Sequence, residues 1–127
     1  MGICVIRFKT DQQEIRWGIV KGKQVAVLPH NYASHRELMD GWSTQPGDFE
    51  VRDDESLQLD ELELLSPITA DIQIFCQGLN YASHQAEGGV KTGKGQNLIF
   101  SKPPSAICGP HDDIIRPPGC QLLDYEE

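Results

Sequence analysis

His84 and Glu87 are the two side chains whose chemistry and spacing stand out most. They lie three residues apart in a segment, 80–87, that predicts a helix ending at Gly88-Gly89, so both would project from one helix face. A carboxylate that accepts one ring N–H of an imidazole fixes its tautomer and leaves the other nitrogen to take a proton from water. An exposed ion pair on a helix has the same spacing, so the spacing alone favours a surface contact over a catalytic pair.

Three carboxylates close the sequence, at Asp124, Glu126 and Glu127. Hard divalent cations bind such oxygen ligands. In an extended strand only alternate residues share a face, so Asp124 and Glu126 would point together and Glu127 away from them. A solvated acidic tail is the alternative interpretation of this cluster.

Two other patterns resemble functional sites but are not expected to act as such. His35 and Glu37 repeat the residue types of the first pair but lie only two residues apart, so they diverge around a helix and we do not expect them to pair. The stretch 88–94 reads G-x-x-x-x-G-K, but Gly95 stands where a phosphate loop needs a hydroxyl for magnesium. We therefore predict no nucleotide site there.

The composition excludes several classes of protein. Asp and Glu number 19 against 11 Lys and Arg, which gives a net charge of −8. Nucleic-acid surfaces need clustered basic residues, so no nucleic-acid partner is expected. No apolar run approaches the roughly 18 residues of a membrane span, and the first residues do not form a signal-peptide pattern. We therefore expect a cytoplasmic protein with no membrane partner and with free cysteines.

The elements that must position these residues begin with a β-meander. Runs rich in β-branched residues predict strands over 3–9, 15–20 and 24–28. A glycine between two lysines at 21–23 predicts a tight turn between the last two strands. A helical pattern then covers 33–39, with Ser34 as its cap and Gly41 as its stop.

The chain changes character near Ser66-Pro67, where a strand over 62–65 ends and glycine and proline become more frequent. Short strands are predicted beyond it, over 72–76, 98–100 and 113–115. We predict an α+β, mainly β fold with two domains, a small N-terminal one over 1–67 and a second over 68–127.

Four stretches of the second half carry a family resemblance through their order and spacing. They read IFCQGLNYASHQAE at 74–87, FSKPPS at 100–105, GP at 109–110 and LDYE at 123–126. Together they resemble the fumarylacetoacetate hydrolase superfamily, in which G-x-N-Y-x-x-H-x-x-E is followed by F-x-K-P, a G-P turn and D-Y-E-x-E-L. The resemblance covers about 64–127, and the first 65 residues resemble, more weakly, the small variable N-terminal domain of many members.

The resemblance implies a catalytic domain built as a mixed β-roll that binds Mg²⁺ or Mn²⁺ and acts on 2-oxo or 2,4-dioxo acids. It implies that His84 and Glu87 activate water, that Tyr81 and Lys102 contact the substrate, and that Glu126 is a metal ligand. The favoured reaction is hydrolysis of a carbon–carbon bond in an acylpyruvate-like acid, since the metal would stabilise the enolate that cleavage leaves. Decarboxylation, isomerisation and hydration remain alternatives. A homodimer is the expected assembly.

The sequence departs from the family pattern at its end. The pattern has a second Glu two residues after Glu126 and a further carboxylate later, and neither is part of this sequence. The chain is therefore expected to be the N-terminal part of such an enzyme and inactive alone. The alternative is a non-catalytic binding or interaction module. Either way, strands beyond residue 72 are expected to leave open edges and an exposed apolar face.

Overall fold

The computed structural model describes residues 2–49, 56–78, 98–121 and 123. Within them the fold is mainly β, with one α-helix and two antiparallel sheets, as predicted at the level of fold class. The strands are β1 (Val5–Lys9), β2 (Ile15–Lys21), β3 (Gln24–Val27), β4 (Ser56–Gln58), β5 (Glu63–Leu65), β6 (Ile74–Gly78) and β7 (Leu98–Lys102). Helix α1 spans His35–Thr44, and short 3₁₀ helices span Pro46–Phe49, Leu59–Glu61 and Pro104–Ala106. Across these ranges no helix is long and apolar enough to span a membrane.

Five strands form the first sheet, in the order β4-β3-β2-β1-β5. The predicted meander is confirmed, because β1, β2 and β3 pair in sequence and the β2–β3 turn places Gly22 at φ +63°. A left-handed backbone of this kind favours glycine in a two-residue hairpin turn. The sheet is completed by β5, which returns to pair with β1 in the register Arg7↔Leu65 and Lys9↔Glu63.

The buried apolar side chains of the described chain all lie between Phe8 and Phe49. The members of this core are Phe8, Trp17, Ile19, Val25, Ala26, Leu28, Leu38 and Phe49. Trp17 is fully buried, and its indole Nε1 donates to the Tyr32 carbonyl oxygen at 2.7 Å. A buried tryptophan adds a large apolar area to a core and usually needs a partner for its N–H, and both conditions are met here.

Helix α1 begins as predicted and ends later than predicted. The Ser34 hydroxyl accepts from the Glu37 backbone N–H at 3.2 Å, so Ser34 is the N-cap. The prediction that Gly41 stops the helix is wrong, because the helix continues through it to Thr44. A Cβ at position 41 would lie 2.5 Å from Cε1 of Tyr32, so glycine here admits the tyrosine ring against the helix.

The second sheet is the β6–β7 hairpin, paired from Ile74↔Lys102 to Gly78↔Leu98. Strand β6 begins two residues later than the predicted 72–76, and β7 runs two residues beyond the predicted 98–100. The strand predicted over 113–115 is wrong. Ile114 and Ile115 are 72% and 84% exposed in an irregular stretch, and no strand of the described residues pairs with them.

The hairpin leaves an apolar face uncovered, as expected. Phe75 and Ile99 are 67% and 58% exposed, and among the described residues each of the two strands pairs only with the other. Soluble domains normally cover such faces and edges with further polypeptide. The closed β-roll and the division into domains 1–67 and 68–127 stay predictions.

Candidate functional site

The β6–β7 hairpin fixes both ends of the segment that carries the predicted catalytic residues. Gly78, the last residue of β6, pairs with Leu98, the first of β7. A Cβ at position 78 would lie 2.9 Å from Cδ2 of Leu98, so glycine is what allows this close pairing. Tyr81, His84 and Glu87 all fall in the sequence between these two positions and lie outside the described residues.

Lys102 is the predicted site residue that the structure describes. It ends β7 opposite Ile74, is half-buried, and holds its Nζ 5.6 Å from the centroid of the Phe100 ring. A cation over an aromatic face gains about 0.5–1 kcal/mol at an exposed site, and this contact positions the ammonium on the face shared with Phe100. Lys102 follows Leu98 by four positions along β7, which places their Cα atoms about 13 Å apart.

The metal predicted from the resemblance has no complete site in the described chain. Among the residues searched there is no group of three His, Cys, Asp or Glu side chains that could hold an ion. Glu126, the predicted ligand, lies outside the described residues. A single carboxylate has the right chemistry for a hard cation but supplies only part of the six or more oxygen ligands that Mg²⁺ or Mn²⁺ takes.

His35 and Glu37 do not pair with each other, as expected. Glu37 turns back to the helix start, where its Oε2 accepts from the Ala33 backbone N–H at 2.9 Å. His35 instead uses its backbone N–H, which donates to the Thr69 hydroxyl at 2.8 Å, and its Nδ1 is buried without a hydrogen-bond partner. The side chains of this pair therefore do not reproduce a base with its orienting acid.

The start of α1 is tied to the segment that follows β5. The Thr69 hydroxyl donates to the Asp71 carboxylate, and Arg36 Nε lies 3.7 Å from the other oxygen of that carboxylate. The pKa of Asp71 is lowered from its ordinary 3.8, chiefly by the hydrogen bond from Thr69, with smaller contributions from the Ser34 hydroxyl and the Arg36 charge. Partial burial opposes this shift without cancelling it.

A cavity that sequence reasoning missed lies beside this contact. It has a volume of about 460 Å³ and is formed by β1, the stretch from Leu65 to Ala70, and the loop from Ile107 to Asp112. Its charged members are Arg7 and Asp112, which are more than a hundred positions apart in sequence. We call it the junction pocket. Its residues come from parts of the sequence that are far apart, and the β1–β5 pairing places Arg7 beside Leu65, so no local sequence pattern predicts the cavity.

Two family models match the chain and divide it between them. One, described as "Fumarylacetoacetate (FAA) hydrolase C-terminal", matches residues 73–127, and the other, described as "Rv2993c-like, N-terminal", matches residues 5–67. The chain belongs to the fumarylacetoacetate hydrolase superfamily. The resemblance in the sequence motifs is thereby confirmed.

Curated superfamily members are similar to the chain over part of its length. A mitochondrial oxaloacetate tautomerase of Bos taurus is 46% identical over 66 residues, which are 52% of this chain and 21% of the relative. A human oxaloacetate tautomerase, also mitochondrial, is 39% identical over 66 residues, which are again 52% of this chain and 21% of the relative. A fumarylacetoacetate hydrolase domain-containing protein 2 homolog of Dictyostelium discoideum is 33% identical over 101 residues, 78% of this chain and 32% of the relative.

The matches also set limits and correct one prediction. The matched part of this chain spans about a fifth to a third of the length of these relatives. No solved structure matches the chain significantly. The expectation of a cytoplasmic protein is contradicted, because the bovine and human relatives are named as mitochondrial proteins. That expectation rested on the first residues of the sequence, which carry no information about a longer protein.

Proposed function

We propose that this chain is part of a superfamily enzyme that acts on a 2-oxo acid by forming its enolate. The observation that carries the proposal is the family match over 73–127, because that range contains the histidine, the glutamate and the terminal carboxylate of the motif. An enolate is the species common to the reactions that the superfamily resemblance implies. The substrate class therefore rests on firmer support than the choice of reaction.

Within this proposal His84 acts as the base and Glu87 holds it in the correct tautomer. A neutral imidazole can accept a proton from a substrate or from water, and general-base catalysis of this kind contributes about 10²–10⁴-fold to a rate. Lys102 would attract the carboxylate of the oxo acid, and Tyr81 would contact it. The Lys102 contact with Phe100 supports this role, since it holds the ammonium at one end of β7.

A divalent cation would supply stabilisation of the enolate charge when bound. Glu126 would contribute one of its ligands. The second carboxylate of the family pattern is not in this sequence, so the proposal assigns no step to the metal.

The first candidate reaction is the interconversion of the enol and keto forms of a 2-oxo dicarboxylic acid. The names of the bovine and human relatives favour it, since both are called oxaloacetate tautomerases. In that reaction His84 moves a proton between carbon and oxygen of the substrate, and no bond between carbon atoms breaks. The second candidate is hydrolysis of an acylpyruvate, favoured by the His-x-x-Glu motif. In it His84 removes a proton from water and the hydroxide attacks the acyl carbon. The bond between that carbon and the methylene carbon then breaks, and the pyruvate enolate that leaves takes up the proton from His84.

Two assays separate these candidates. The chain is mixed with Mg²⁺ and either enol-oxaloacetate, followed by loss of the enol absorbance, or acetylpyruvate, followed by release of pyruvate. His84→Ala should lower the active reaction by about 10²-fold or more. His111→Ala is the matched control, because His111 is exposed and outside the motif, and its rate should be unchanged.

The outcomes have distinct meanings. Accelerated enol loss without pyruvate release supports the tautomerase, and the reverse supports the hydrolase. Turnover that His84→Ala leaves intact contradicts the assigned base. Failure of the unmodified chain to turn over either substrate contradicts a catalytic role for this chain alone, and it fits both the N-terminal part of an enzyme and a non-catalytic module.

The same proposal extends to domains, assembly and location. Domains 1–67 and 68–127 are supported by the end of β5 at Leu65 and by the separate matches to 5–67 and 73–127. A homodimer would cover part of the exposed hairpin face, and light scattering of the purified chain tests it. A mitochondrial location follows from the relatives' names, and fractionation of cells that express the protein tests it.

A further inference from the structure

The junction pocket is large enough for a small organic molecule. Its volume of about 460 Å³ falls within the usual range of roughly 300–1,000 Å³ for ligand sites. Half-buried aliphatic side chains line it, contributed by Leu65, Ile68 and Ile107. Ligand sites typically combine such walls with a few polar groups that set the orientation.

Arg7 supplies a positive charge that has no ion-pair partner among the residues that the structure describes. On the same face of β1, Lys9 stands opposite Glu63 and forms an ion pair with it, whereas Arg7 stands opposite Leu65. The guanidinium is held by the Trp17 ring, 5.9 Å from its centroid, and Nη1 makes one long hydrogen bond of 3.5 Å to the Ser66 carbonyl oxygen. Nε is buried without a partner, so the two Nη groups are what remains to bind an anion in the pocket.

Asp112 supplies a negative charge to the lining of the same cavity. Its Oδ2 accepts from the Gly109 backbone N–H at 2.6 Å, and its own N–H donates to the Gly109 carbonyl oxygen at 3.3 Å. A Cβ at position 109 would lie 3.1 Å from Oδ2, so glycine lets the carboxylate fold back onto the loop. The first hydrogen bond holds the carboxylate and the second holds the backbone of the loop, and neither brings a positive charge to Asp112.

Arg7 and Asp112 line one cavity without forming an ion pair with each other, since the described ion pairs involve neither of them. A ligand with a single charge would be attracted by one wall and repelled by the other. We propose that the junction pocket binds a small zwitterionic amino acid with an apolar body. Its carboxylate binds Arg7, its ammonium binds Asp112, and its hydrocarbon part contacts Leu65, Ile68 and Ile107.

Calorimetric titration of the chain tests this assignment with four ligands. Leucine carries its ammonium and its carboxylate on one carbon atom, whereas 6-aminohexanoate separates the two groups by five carbon atoms. The ligand that binds more tightly therefore reports the charge spacing that the pocket accepts. Two analogues of leucine each keep one charge: 4-methylpentanoate has the carboxylate alone, and 3-methylbutylamine has the ammonium alone. We expect one zwitterion to bind saturably and each single-charge analogue to bind at least tenfold more weakly.

Matched variants locate the binding site. Arg7→Gln and Asp112→Asn should each weaken the zwitterion by tenfold or more, whereas Arg36→Gln and Asp113→Asn remove the same charges outside the pocket and should leave affinity unchanged. If Arg7→Gln fails to fold because its contact with Trp17 is lost, Arg7→Lys keeps the charge and Asp112→Asn, on an exposed loop, carries the test.

The proposal is overturned by any of three results. These are the absence of saturable binding by both zwitterions, equal affinity for a single-charge analogue, or equal damage from the two control variants. Unchanged affinity in His84→Ala is expected, and it separates this pocket from the proposed catalytic residues, so either assignment can fail without the other.

Discussion

Replacing Gly41 by alanine sets two opposing effects against each other. In the interior of α1, alanine is favoured over glycine by about 1 kcal/mol through helix propensity. The added methyl group would lie 2.5 Å from Cε1 and 2.9 Å from Cζ and Oη of Tyr32. The tyrosine is not free to move, because its ring stacks on Phe49 at 5.9 Å and its carbonyl oxygen accepts from Trp17.

The steric cost should exceed the gain in helix propensity. Overpacking costs about 1–3 kcal/mol, so taking about 2 kcal/mol and subtracting the helix gain predicts that Gly41→Ala lowers the free energy of unfolding by about 1 kcal/mol. In a Tyr32→Ala background the clash is gone, and the same substitution should raise stability by about 1 kcal/mol. The coupling between the two positions is then about 2 kcal/mol, within the range expected of contacting residues.

Urea denaturation followed by tryptophan fluorescence measures these values, since both tryptophans, Trp17 and Trp42, belong to the part of the chain that contains the core. Gly47→Ala is the control, because a Cβ there meets nothing within 4 Å and should change stability by less than about 0.5 kcal/mol. If Gly41→Ala stabilises the parent protein as much as it stabilises the Tyr32→Ala protein, the steric account of this glycine is refuted.

Three further predictions concern stability and association. Ser34→Ala removes the N-cap hydrogen bond to Glu37 and should cost about 1 kcal/mol in urea unfolding, with Ser43→Ala as an exposed control on the same helix. Asp71 has a lowered pKa, so its carboxylate stabilises the folded state above its ordinary 3.8 and this contribution is lost as pH falls through the lower folded value. The stability difference between the parent and Asp71→Asn should therefore shrink below pH 3.8 and stay constant at neutral pH; a constant difference throughout would contradict the assigned ionisation. Replacing the exposed Phe75 by serine should reduce both the binding of a hydrophobic dye and self-association. Unchanged dye fluorescence would show that the dye does not bind to the hairpin face.

Local patterns predicted the first half of the fold well. The strand alternation of β1 to β3 and the glycine at position 22 act over neighbouring residues, and the N-cap at Ser34 needs only a residue three positions on. Gly41 was misassigned as a stop because the reason for a glycine there is Tyr32, which packs across the helix from outside it. A glycine needed for close approach looks the same in sequence as one that ends a helix.

The remaining strand boundaries depend on pairing between strands that are distant in sequence. The limits of β6 follow its register with β7, which its own residues do not encode, and the isoleucines at 114 and 115 have strong strand preference but no partner in the described chain. The candidate site also has features that local patterns predict and features that depend on long-range contacts. Motif spacing was sufficient to identify the superfamily, whereas the junction pocket depends on Arg7 facing Leu65 across a pairing of the first and fifth strands. The roles of His84 and Glu87 stay predictions.

The return of β5 to pair with β1 has an evolutionary consequence. Arg7 is the Cα partner of Leu65 in an antiparallel pair, about 5 Å away across the ladder. The chain enters the first sheet at Val5, two residues before Arg7, and leaves it at Leu65, so the entry and exit points are close together. A unit whose ends meet in this way can be joined to a second domain, or inserted into a surface loop of one, without stretching either partner. Circular permutants test whether the unit folds independently of where its chain begins. They would link these ends with a short glycine-rich turn and open the β2–β3 turn at Gly22.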